Sequence, residues 1–487
     1  MNIESNNTIA ADIFQHQMAS LNERTSKRKT NGVFYTNDDV VEYIVGNAFL
    51  NFIFDDTQNV YPIDICLEQI TRAEDKLINK LQKASIFDPT CGTGQFLISA
   101  LEVKINILRK KEIVNDELLL QTISTIHGND IDEFSIKITM VRILFYAISL
   151  LEDINSYKKV VSLLKENFMN VDYVQPVNVQ KHYDIVIGNP PYIEYRKLES
   201  KPTILLGNTY ANVLHNTILQ LARDGVMAYI IPLSFVATPR MKRIRNEVMD
   251  SSKKMITINF SDRPDCLFSS VHQKLTVLIA LRGEEVCRNF CSNYYYWYKS
   301  ERKRLFDNCV IYPSSYEFDG FIPKIGNEIE KSIFDKVIRG TNDPKLTDFL
   351  CHGKGNAYVY INMRGTFWMK SFKKKPDSRE YNKFCFSKEM QPYIICILNS
   401  SLFFFYWIVI SDCWHITNKE LGNFKIRTDF DLTIFKPLCK KLLDKLERTK
   451  IYIGTKQCDY EYKHKYCKGE IDAIDNALAN IYKLTTK

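Results

Sequence analysis

Glycine is scarce in this sequence, with 18 residues in 487, and neither internal repeats nor low-complexity tracts are visible. Hydrophobic residues make up 45% of the chain and charged residues 25%. These are ordinary proportions for a folded protein, so global disorder, collagen and coiled coil are excluded. At ~150 residues per domain, the length corresponds to about three domains or two large ones.

Regular cysteine spacing is absent as well. None of the 13 cysteines belongs to a Cys-x-x-Cys pair, a pattern that suits a reducing cytosol and argues against a disulfide framework. We interpret Cys287 with Cys291, and Cys458 with His464 and Cys467, as incidental thiols rather than metal ligands. The sequence therefore predicts no metal site.

An apolar leader is also lacking, because residues 1–10 are polar, and we expect no signal peptide. The apolar stretch Tyr393–Ile410 contains Asn399, Ser400 and Ser401 near its middle. Its length and polarity favour a buried helix over a membrane span. We expect a cytoplasmic protein without a membrane partner.

Charge is distributed unevenly along the chain. Residues 1–200 contain 20 Lys and Arg against 27 Asp and Glu, a net charge of −7, whereas residues 201–487 contain 45 against 30, a net charge of +15. An acidic front part and a basic back part indicate two roles, with the basic part facing a polyanion. Uneven surface charge without a partner is the alternative interpretation.

Short apolar strands alternate with amphipathic helices between about residues 84 and 282, which predicts an open α/β sheet. The strand candidates are Ala84–Phe87, Thr125–His127, Tyr183–Ile187, Val226–Ile231 and, as the last one, Thr276–Leu281. Short aromatic-rich strands and terminal helices follow. We therefore predict a first domain of residues 1–283 and a second, mixed α/β domain of residues 284–487.

The segment Asp88–Phe96 joins the first strand to a helix. Gly92 and Gly94 permit a tight turn and the close approach of a ligand. Leu97 stands where a dinucleotide fingerprint would place its third glycine, so a nicotinamide site is disfavoured.

Acidic residues follow the next two strands. Asp130 comes at the end of the second strand, where a carboxylate accepts hydrogen bonds from ribose hydroxyls, and Ile131 can cover an adenine face. We interpret Asp132 as a helix N-cap. Asp172 follows the expected third strand, where it can bind an adenine amino group with the ring of Tyr173 beside it.

The tetrapeptide Asn189-Pro190-Pro191-Tyr192 follows a buried strand and contains the only Pro-Pro of the chain. Two prolines hold the turn rigid, so the Asn189 amide oxygen and the Pro190 carbonyl project at a set distance. These two acceptors match the hydrogens of an exocyclic amine on a planar ring, and Tyr192 offers a face for stacking. Accepting both hydrogens lets the amine nitrogen attack an electrophilic methyl group.

These motifs resemble those of S-adenosylmethionine-dependent DNA adenine-N6 methyltransferases of restriction–modification systems, and their order is similar to that of the γ group. The resemblance implies a Rossmann-like methyltransferase sheet with helices on both faces, followed by a target recognition domain. It also implies roles for Asp130 at the ribose, for Asp172 and Tyr173 at the adenine, and for Asn189 to Tyr192 in catalysis. The family's methionine-binding loop corresponds to Asp88, Thr90, Cys91, Gly92 and Gly94.

Two further segments belong to the resemblance. Gly32-Val-Phe-Tyr35-Thr36 is similar to the family's N-terminal motif, in which the threonine contacts the methionine part of the cofactor, although Asn37 replaces the usual proline. The family also carries an aromatic residue against the flipped base, before its last catalytic-domain strand. Here Phe268 is the preferred candidate and His272 the alternative.

The resemblance implies double-stranded DNA as partner, with the target base flipped out of the duplex. A separate cognate restriction endonuclease, not held in a stable complex, is the expected functional partner, and the chain is expected to act as a monomer. Tyr294–Tyr298 with Arg302–Arg304, and Phe372 with Lys373–Lys375, combine aromatic and basic residues that can contact bases and phosphates. The alternative interpretation is a strand with buried aromatic residues and a solvated run of charges.

Other functions remain as rivals. Methylation of RNA or of a protein glutamine uses the same tetrapeptide but would not need the long basic segment after it. Cytosine-N4 methylation usually goes with Ser-Pro-Pro-Tyr, and a DNA reader without catalysis would not need Asp88, Asp130 and Asn189. Asp64 with Glu74-x-Lys76 mimics a nuclease pattern, but too little chain surrounds it.

Overall fold

The computed structural model describes residues 36–111, 115–268, 272–314, 320–338, 343–351, 357–365, 368–455 and 458–484. The chain forms two compact units, the first ending at Ile322 and the second beginning at Pro323.

The first unit is built on a mixed β-sheet. Its strands are β1 (Ile86–Asp88), β2 (Ile126–Asn129), β3 (Phe168–Met169), β4 (Tyr183–Gly188), β5 (Leu221–Pro232), β6 (Ser252–Phe260), β7 (Leu275–Arg282), β8 (Arg288–Tyr295) and β9 (Tyr312–Pro313). Among the described residues the strand order is β3-β2-β1-β4-β5-β7-β6-β8-β9. The first five strands of that order run parallel, and β7 is antiparallel to both β5 and β6.

Helices connect these strands. They are α1 (Asp38–Ile53), α2 (Ile63–Thr71), α3 (Asp75–Lys83), α4 (Gln95–Lys111), α5 (Asp116–Ser124), α6 (Glu133–Ile148), α7 (Tyr157–Asn167), α8 (Thr209–Gln220), α9 (Ser234–Ala237) and α10 (Lys242–Asp250). A 3₁₀ helix spans Lys299–Arg304. The predicted N-cap of α6 is confirmed, because the Asp132 carboxylate accepts hydrogen bonds from Phe134 N and Ser135 N.

Both faces of the sheet are buried. In β5, Val226, Ala228 and Ile230 belong to one large apolar cluster. The alternate residues Met227 and Tyr229 are equally inaccessible to solvent on the opposite face. This two-sided burial is expected of an open α/β sheet covered by helices, and the predicted fold class is confirmed.

The chain crosses from one side of β1 to the other between β3 and β4. The path from β1 leads outward to β2 and β3, and β4 then returns to pair with the free side of β1. Such a switch in direction opens a crevice at the carboxyl ends of the strands, where α/β proteins bind ligands.

Two expectations about this sheet differ from the structure. Strand β7 is not the last one, because β8 pairs in parallel with β6 and β9 pairs with β8. The predicted boundary after residue 283 thus falls inside the sheet, and the first compact unit extends to Ile322. Strand β6 was not predicted, and its second and third residues are lysines. One of them, Lys254, is buried and donates hydrogen bonds to the Asp55 and Thr57 carbonyls.

The second unit combines short sheets with helices, as the predicted mixed α/β class requires. Its strands are β10 (Ala357–Asn362), β11 (Ser371–Phe372), β12 (Tyr381–Phe386), β13 (Ile451–Tyr452) and β14 (Tyr460–Glu461). Its helices are α11 (Glu328–Ile338), α12 (Gln391–Leu398), α13 (Ser401–Ile410), α14 (Asn418–Asn423), α15 (Phe435–Thr449) and α16 (Lys468–Tyr482).

The apolar stretch of the second unit forms two helices rather than one. Asn399 ends α12, and the Ser400 hydroxyl caps α13 by accepting from Phe403 N at 3.1 Å. Within the described ranges, no single helix has both the length and the apolar character needed to cross a membrane. Helices α12 and α13 reach that threshold only as a pair, which is bent by 60°.

Candidate functional site

The loop after β1 is held in a conformation that depends on its glycines. Gly92 and Gly94 have φ angles of +51° and +85°, in the left-handed region. A Cβ on Gly94 would also lie 2.5 Å from Thr139 Cγ2 on α6. At Gly92 the same added atom would meet nothing within 4 Å. The loop thus packs on α6 through Gly94 and leaves open space beside Gly92.

Asp130 is joined directly to this loop. Its carboxylate accepts hydrogen bonds from Gly92 N at 2.8 Å and from Asp132 N at 2.9 Å. The next residue, Ile131, is 69% exposed. The predicted ribose and adenine residues therefore lie beside the predicted methionine loop, with an apolar side chain open to a ligand.

The buried side chain of Asn129 holds three strand ends together and was not predicted. Its Nδ2 donates to the Pro89 and Val171 carbonyls, each at 2.9 Å, and its Oδ1 accepts from Val171 N at 2.9 Å. An asparagine in a fully buried strand directly before Asp130 is the sequence signal that could have identified it.

Asp172 and Tyr173 differ in their exposure to solvent. The Asp172 carboxylate accepts from Val174 N at 3.0 Å and is partly exposed. The Tyr173 side chain is buried, donates its hydroxyl hydrogen to Gln220 Oε1 at 2.6 Å and packs edge-on against Phe87. The Tyr173 ring is therefore a packing element in this structure, and a contact of the pair with adenine stays a prediction.

The tetrapeptide Asn189–Tyr192 begins where β4 ends. Asn189 Nδ2 donates to Thr36 Oγ1 at 3.0 Å, and Asn189 Oδ1 accepts from the Tyr192 hydroxyl. That hydroxyl also lies 2.6 Å from the Ile230 carbonyl oxygen on β5. The Pro191 carbonyl accepts from Thr209 Oγ1 at the start of α8. The Asn189 amide is thus fixed from two sides by partners outside its own strand.

The segment that leads into the tetrapeptide contacts the start of the loop Asp88–Gly94, which is called the cofactor loop below. An added Cβ on Gly188, the residue before Asn189, would lie 2.6 Å from Asp88 Oδ1. The Asp88 carboxylate therefore packs against the backbone that leads into the tetrapeptide. Thr36, the last residue of the N-terminal motif, is also buried and lies beside Asn189. The predicted cofactor residue Tyr35 lies outside the described residues.

Phe268 and His272 differ in burial. Phe268 is 1% exposed and belongs to the apolar core. His272 is exposed, and its Nδ1 lies 2.9 Å from the Asp262 carbonyl oxygen. The structure thus gives Phe268 a packing environment, and the choice of the residue that stacks on a base stays a prediction.

Burial dominates the electrostatics of the site. It raises the pKa of Asp88 well above its usual range, and the nearby Asp130 carboxylate adds to the effect. The pKa of Asp130 is raised by burial too, against the lowering effect of its backbone donors. Burial and the same two carboxylates raise the pKa of the Cys91 thiol. Cys91 is therefore held as a thiol, not as the thiolate that a cysteine nucleophile requires.

The site fits the expected cofactor, S-adenosylmethionine, in three respects. Thr90 Oγ1 is buried and has no hydrogen-bond partner among the described residues, which is uncommon unless a ligand supplies one. The Asp130 carboxylate has roughly four lone-pair positions and takes backbone N–H donors from Gly92, Asp132 and Ile131, which leaves one position for a ribose hydroxyl. The open space at Gly92 and the exposed Ile131 complete a surface of suitable polarity.

The two basic segments are only partly available to a polyanion. In the first unit, Tyr294 and Trp297 are buried, and Arg302 forms an ion pair with Asp39. In the second unit Phe372 is buried, whereas the side chains of Lys373–Lys375 are exposed. The accessible parts of these predicted nucleic-acid segments are therefore the lysine run and, in the first segment, Tyr298, Lys303 and Arg304.

Comparisons with known proteins match part of the chain. Residues 124–266 match the model of the Eco57I restriction-modification methylase family. A Methanocaldococcus jannaschii protein named as a type II restriction enzyme and methyltransferase is 26% identical over 195 residues, which cover 35% of this chain and 16% of that protein. DNA methyltransferase A of Bacillus subtilis is 23% identical over 208 residues, which cover 39% and 23%. The chain thus spans less than a quarter of the length of either relative.

Among solved structures, the type IIL restriction-modification enzyme MmeI in complex with DNA has a TM-score of 0.53 and 11% identity, covering 95% of this chain and 78% of that chain. At this identity the likeness shows a shared fold. The family-matched segment contains Asp130, Asp172 and Asn189. The match supports a restriction–modification methylase as the class of protein and S-adenosylmethionine as its cofactor.

Proposed function

We propose that this chain transfers a methyl group from S-adenosylmethionine to N6 of an adenine flipped out of double-stranded DNA, within a restriction–modification system. The observation that carries the proposal is the contact between the cofactor loop and the tetrapeptide. Asp88 packs against Gly188, and Asn189 is held by Thr36, so a donor methyl group and an acceptor amine can meet at one edge of the sheet.

The chemistry of the tetrapeptide suits an exocyclic amine. Bound S-adenosylmethionine would supply the electrophilic methyl group. Asn189 Oδ1 accepts a hydrogen bond from Tyr192, and an amide oxygen can accept a second hydrogen bond, which is the role proposed here towards an amine hydrogen. The Pro190 carbonyl is the second acceptor, and the Tyr192 ring, fixed by its hydroxyl bonds, is the stacking face.

Adenine is favoured over cytosine because Asn189 stands where cytosine-N4 enzymes usually carry serine. The motif order, with cofactor loop before tetrapeptide, is that of the γ group. We further propose that the second compact unit is the target recognition domain. Its exposed Lys373–Lys375 run provides phosphate-binding charge, and Lys383 lies 3.6 Å above the ring of the exposed Tyr358.

The test is expression of the chain in a methylation-deficient bacterium, followed by long-read sequencing of the DNA for modified bases. We expect N6-methyladenine at one recurring motif. Methylcytosine in its place, or methylation only of RNA or protein, would contradict the proposal.

A matched pair of variants tests the role of Asn189. Asn189→Ala should abolish methylation and leave the S-adenosylmethionine dissociation constant within a few-fold, because the amide contacts the acceptor rather than the cofactor. The control is the exposed Asn155, whose side-chain amide donates to the Asp153 carboxylate. Asn155→Ala should methylate DNA as the wild type does. Retention of most turnover in Asn189→Ala would remove the proposed amine-acceptor role.

A further inference from the structure

Arg302 occupies a position that the basic sequence run around it does not suggest. Its Nε donates to Asp39 Oδ2 at 2.5 Å and its Nη2 to Asp39 Oδ1 at 2.6 Å, a two-point ion pair. Its Nη1 donates to the Leu267 carbonyl at 3.2 Å, and its guanidinium carbon lies 5.3 Å from the centre of the buried Trp297 ring. The Arg302 side chain is only 21% exposed, so its donors point into the protein.

The two groups that Arg302 joins lie next to predicted site residues. Asp39 is in the first turn of α1, three residues after Thr36, whose hydroxyl accepts from Asn189. Leu267 directly precedes Phe268, the preferred candidate for base stacking. One guanidinium therefore connects the chain segment that fixes the Asn189 amide with the segment that carries the aromatic candidate.

A second contact makes the position of α1 matter for the site. The neighbouring Asp38 accepts a hydrogen bond from Gln95 Nε2, at the end of the loop that follows β1. The start of α1 is thus tied to the cofactor loop through Asp38 and to the Phe268 segment through Asp39. A bidentate arginine holds a carboxylate in a defined orientation, which a lysine cannot do.

We infer that Arg302 is a positioning residue for methyl transfer, acting through Asp39 on the Thr36–Asn189 contact and through Leu267 on the Phe268 segment. The inference rests on the proposed function. Arg302 is not a phosphate contact, because its fork is committed to protein acceptors. Misplacement of a reacting group by about 1 Å can lower a rate by about 100-fold. We therefore expect loss of Arg302 to lower the turnover number and to leave the affinity for the cofactor nearly unchanged.

The experiment is a double-substitution cycle on the full chain. Initial rates are measured with radiolabelled S-adenosylmethionine and saturating genomic DNA from the methylation-deficient host, and cofactor affinity is measured by calorimetry. Arg302→Gln and Asp39→Asn should each lower kcat at least tenfold and leave the cofactor dissociation constant within threefold. The double variant should turn over no more slowly than the slower single variant, because both substitutions break the same Arg302–Asp39 ion pair.

Controls separate this role from charge and from folding. Lys299→Gln removes a positive charge from the exposed start of the same 3₁₀ helix and should leave kcat unchanged. Arg302→Lys keeps the charge, preserves folding if Arg302→Gln does not, and should still lower kcat because the fork is lost. Wild-type kcat in Arg302→Lys, or losses that multiply in the double variant, would overturn the inference. An inactive wild type that still binds S-adenosylmethionine would instead count against the proposed function.

Discussion

Replacing Asp88 with asparagine should stabilise the protein and weaken its cofactor site. The Asp88 carboxylate is 1% exposed and accepts a hydrogen bond from Thr90 N at 3.0 Å. Burial raises its pKa well above the usual range, and the nearby Asp130 carboxylate raises it further. An ionised group in such surroundings costs free energy of folding, since burial removes its water and no cation among the described residues offsets that loss.

The sign of the effect depends on pH. The pKa of Asp88 is raised in the folded state, whereas an aspartate in the unfolded chain has a pKa of about 3.9. Between the unfolded and the folded pKa, the Asp88 carboxyl is protonated in the folded state and ionised in the unfolded state. The free energy of unfolding of the wild type therefore increases as pH falls from the folded pKa towards the unfolded pKa. An asparagine cannot ionise, and its amide oxygen can still accept from Thr90 N.

The expected gain of Asp88→Asn is largest above the folded pKa of Asp88, where the wild-type carboxylate is charged. A buried group that lacks full hydrogen bonding costs about 1–3 kcal/mol. For a unit of this size that corresponds to a rise in Tm of about 2–6 °C. Near pH 4 the wild-type carboxyl is protonated in the folded state, and the difference should vanish.

The assay is thermal unfolding of both proteins between about pH 4 and pH 8.5, with calorimetric titration of S-adenosylmethionine at neutral pH. Asp184→Asn is the control of opposite sign, because Asp184 Oδ2 accepts from both Ser85 N and Ser85 Oγ at 2.8 Å and should lose stability when neutralised. A fall in Tm for Asp88→Asn above neutral pH, or a gain that does not change with pH, would refute the reasoning. An unchanged cofactor affinity would remove Asp88 from the binding site.

Two further predictions concern buried polar groups. Thr90→Val removes a hydroxyl that has no hydrogen-bond partner within the described ranges; Tm should not fall, and the S-adenosylmethionine dissociation constant should rise about fivefold, the value of one hydrogen bond. Unchanged affinity would show that the hydroxyl faces no ligand. Lys104, bonded to Ala84 O and Thr125 Oγ1, has a pKa lowered by burial to about 7. The folded state therefore binds fewer protons than the unfolded state between pH 7 and about 10.4, where stability should rise with pH. Lys104→Met should lose that rise in Tm, and an unchanged slope would contradict the assignment.

The sequence predicted those parts of the site that follow from local patterns. Asp88, Asp130 and Asn189 were each placed at the end of a strand, and parallel strands end at one edge of a sheet. That rule alone brings the three motifs together, and the structure shows Gly92 bonded to Asp130 and Asp88 beside Gly188.

Two kinds of feature could not be predicted from the sequence. These are the side-chain contacts between distant segments and the orientation of individual aromatic rings. Thr36 and Asn189 are 153 residues apart, and Asp39 and Arg302 are 263 apart, so no local periodicity relates them. Tyr173 illustrates the second kind, because the pattern places it at the correct strand end but cannot show that its ring turns towards Phe87 and Gln220. Its hydroxyl found a buried partner there, as buried tyrosines usually do.

The contacts of the site form one continuous series from the proposed ribose acid to the proposed catalytic amide. Asp130 binds Gly92 in the loop that begins at Asp88, Asp88 packs on Gly188, and Asn189 bonds to Thr36. A shift of the loop backbone at Gly92 or of the strand end at Gly188 is transmitted to its packed neighbours, since a close-packed interior cannot absorb a shift locally. Substitutions that move the backbone at these two glycines should therefore change cofactor affinity and turnover together. A truncation that only removes the Asn189 amide should separate them, which makes Asn189→Ala the sharpest single probe of the chemistry.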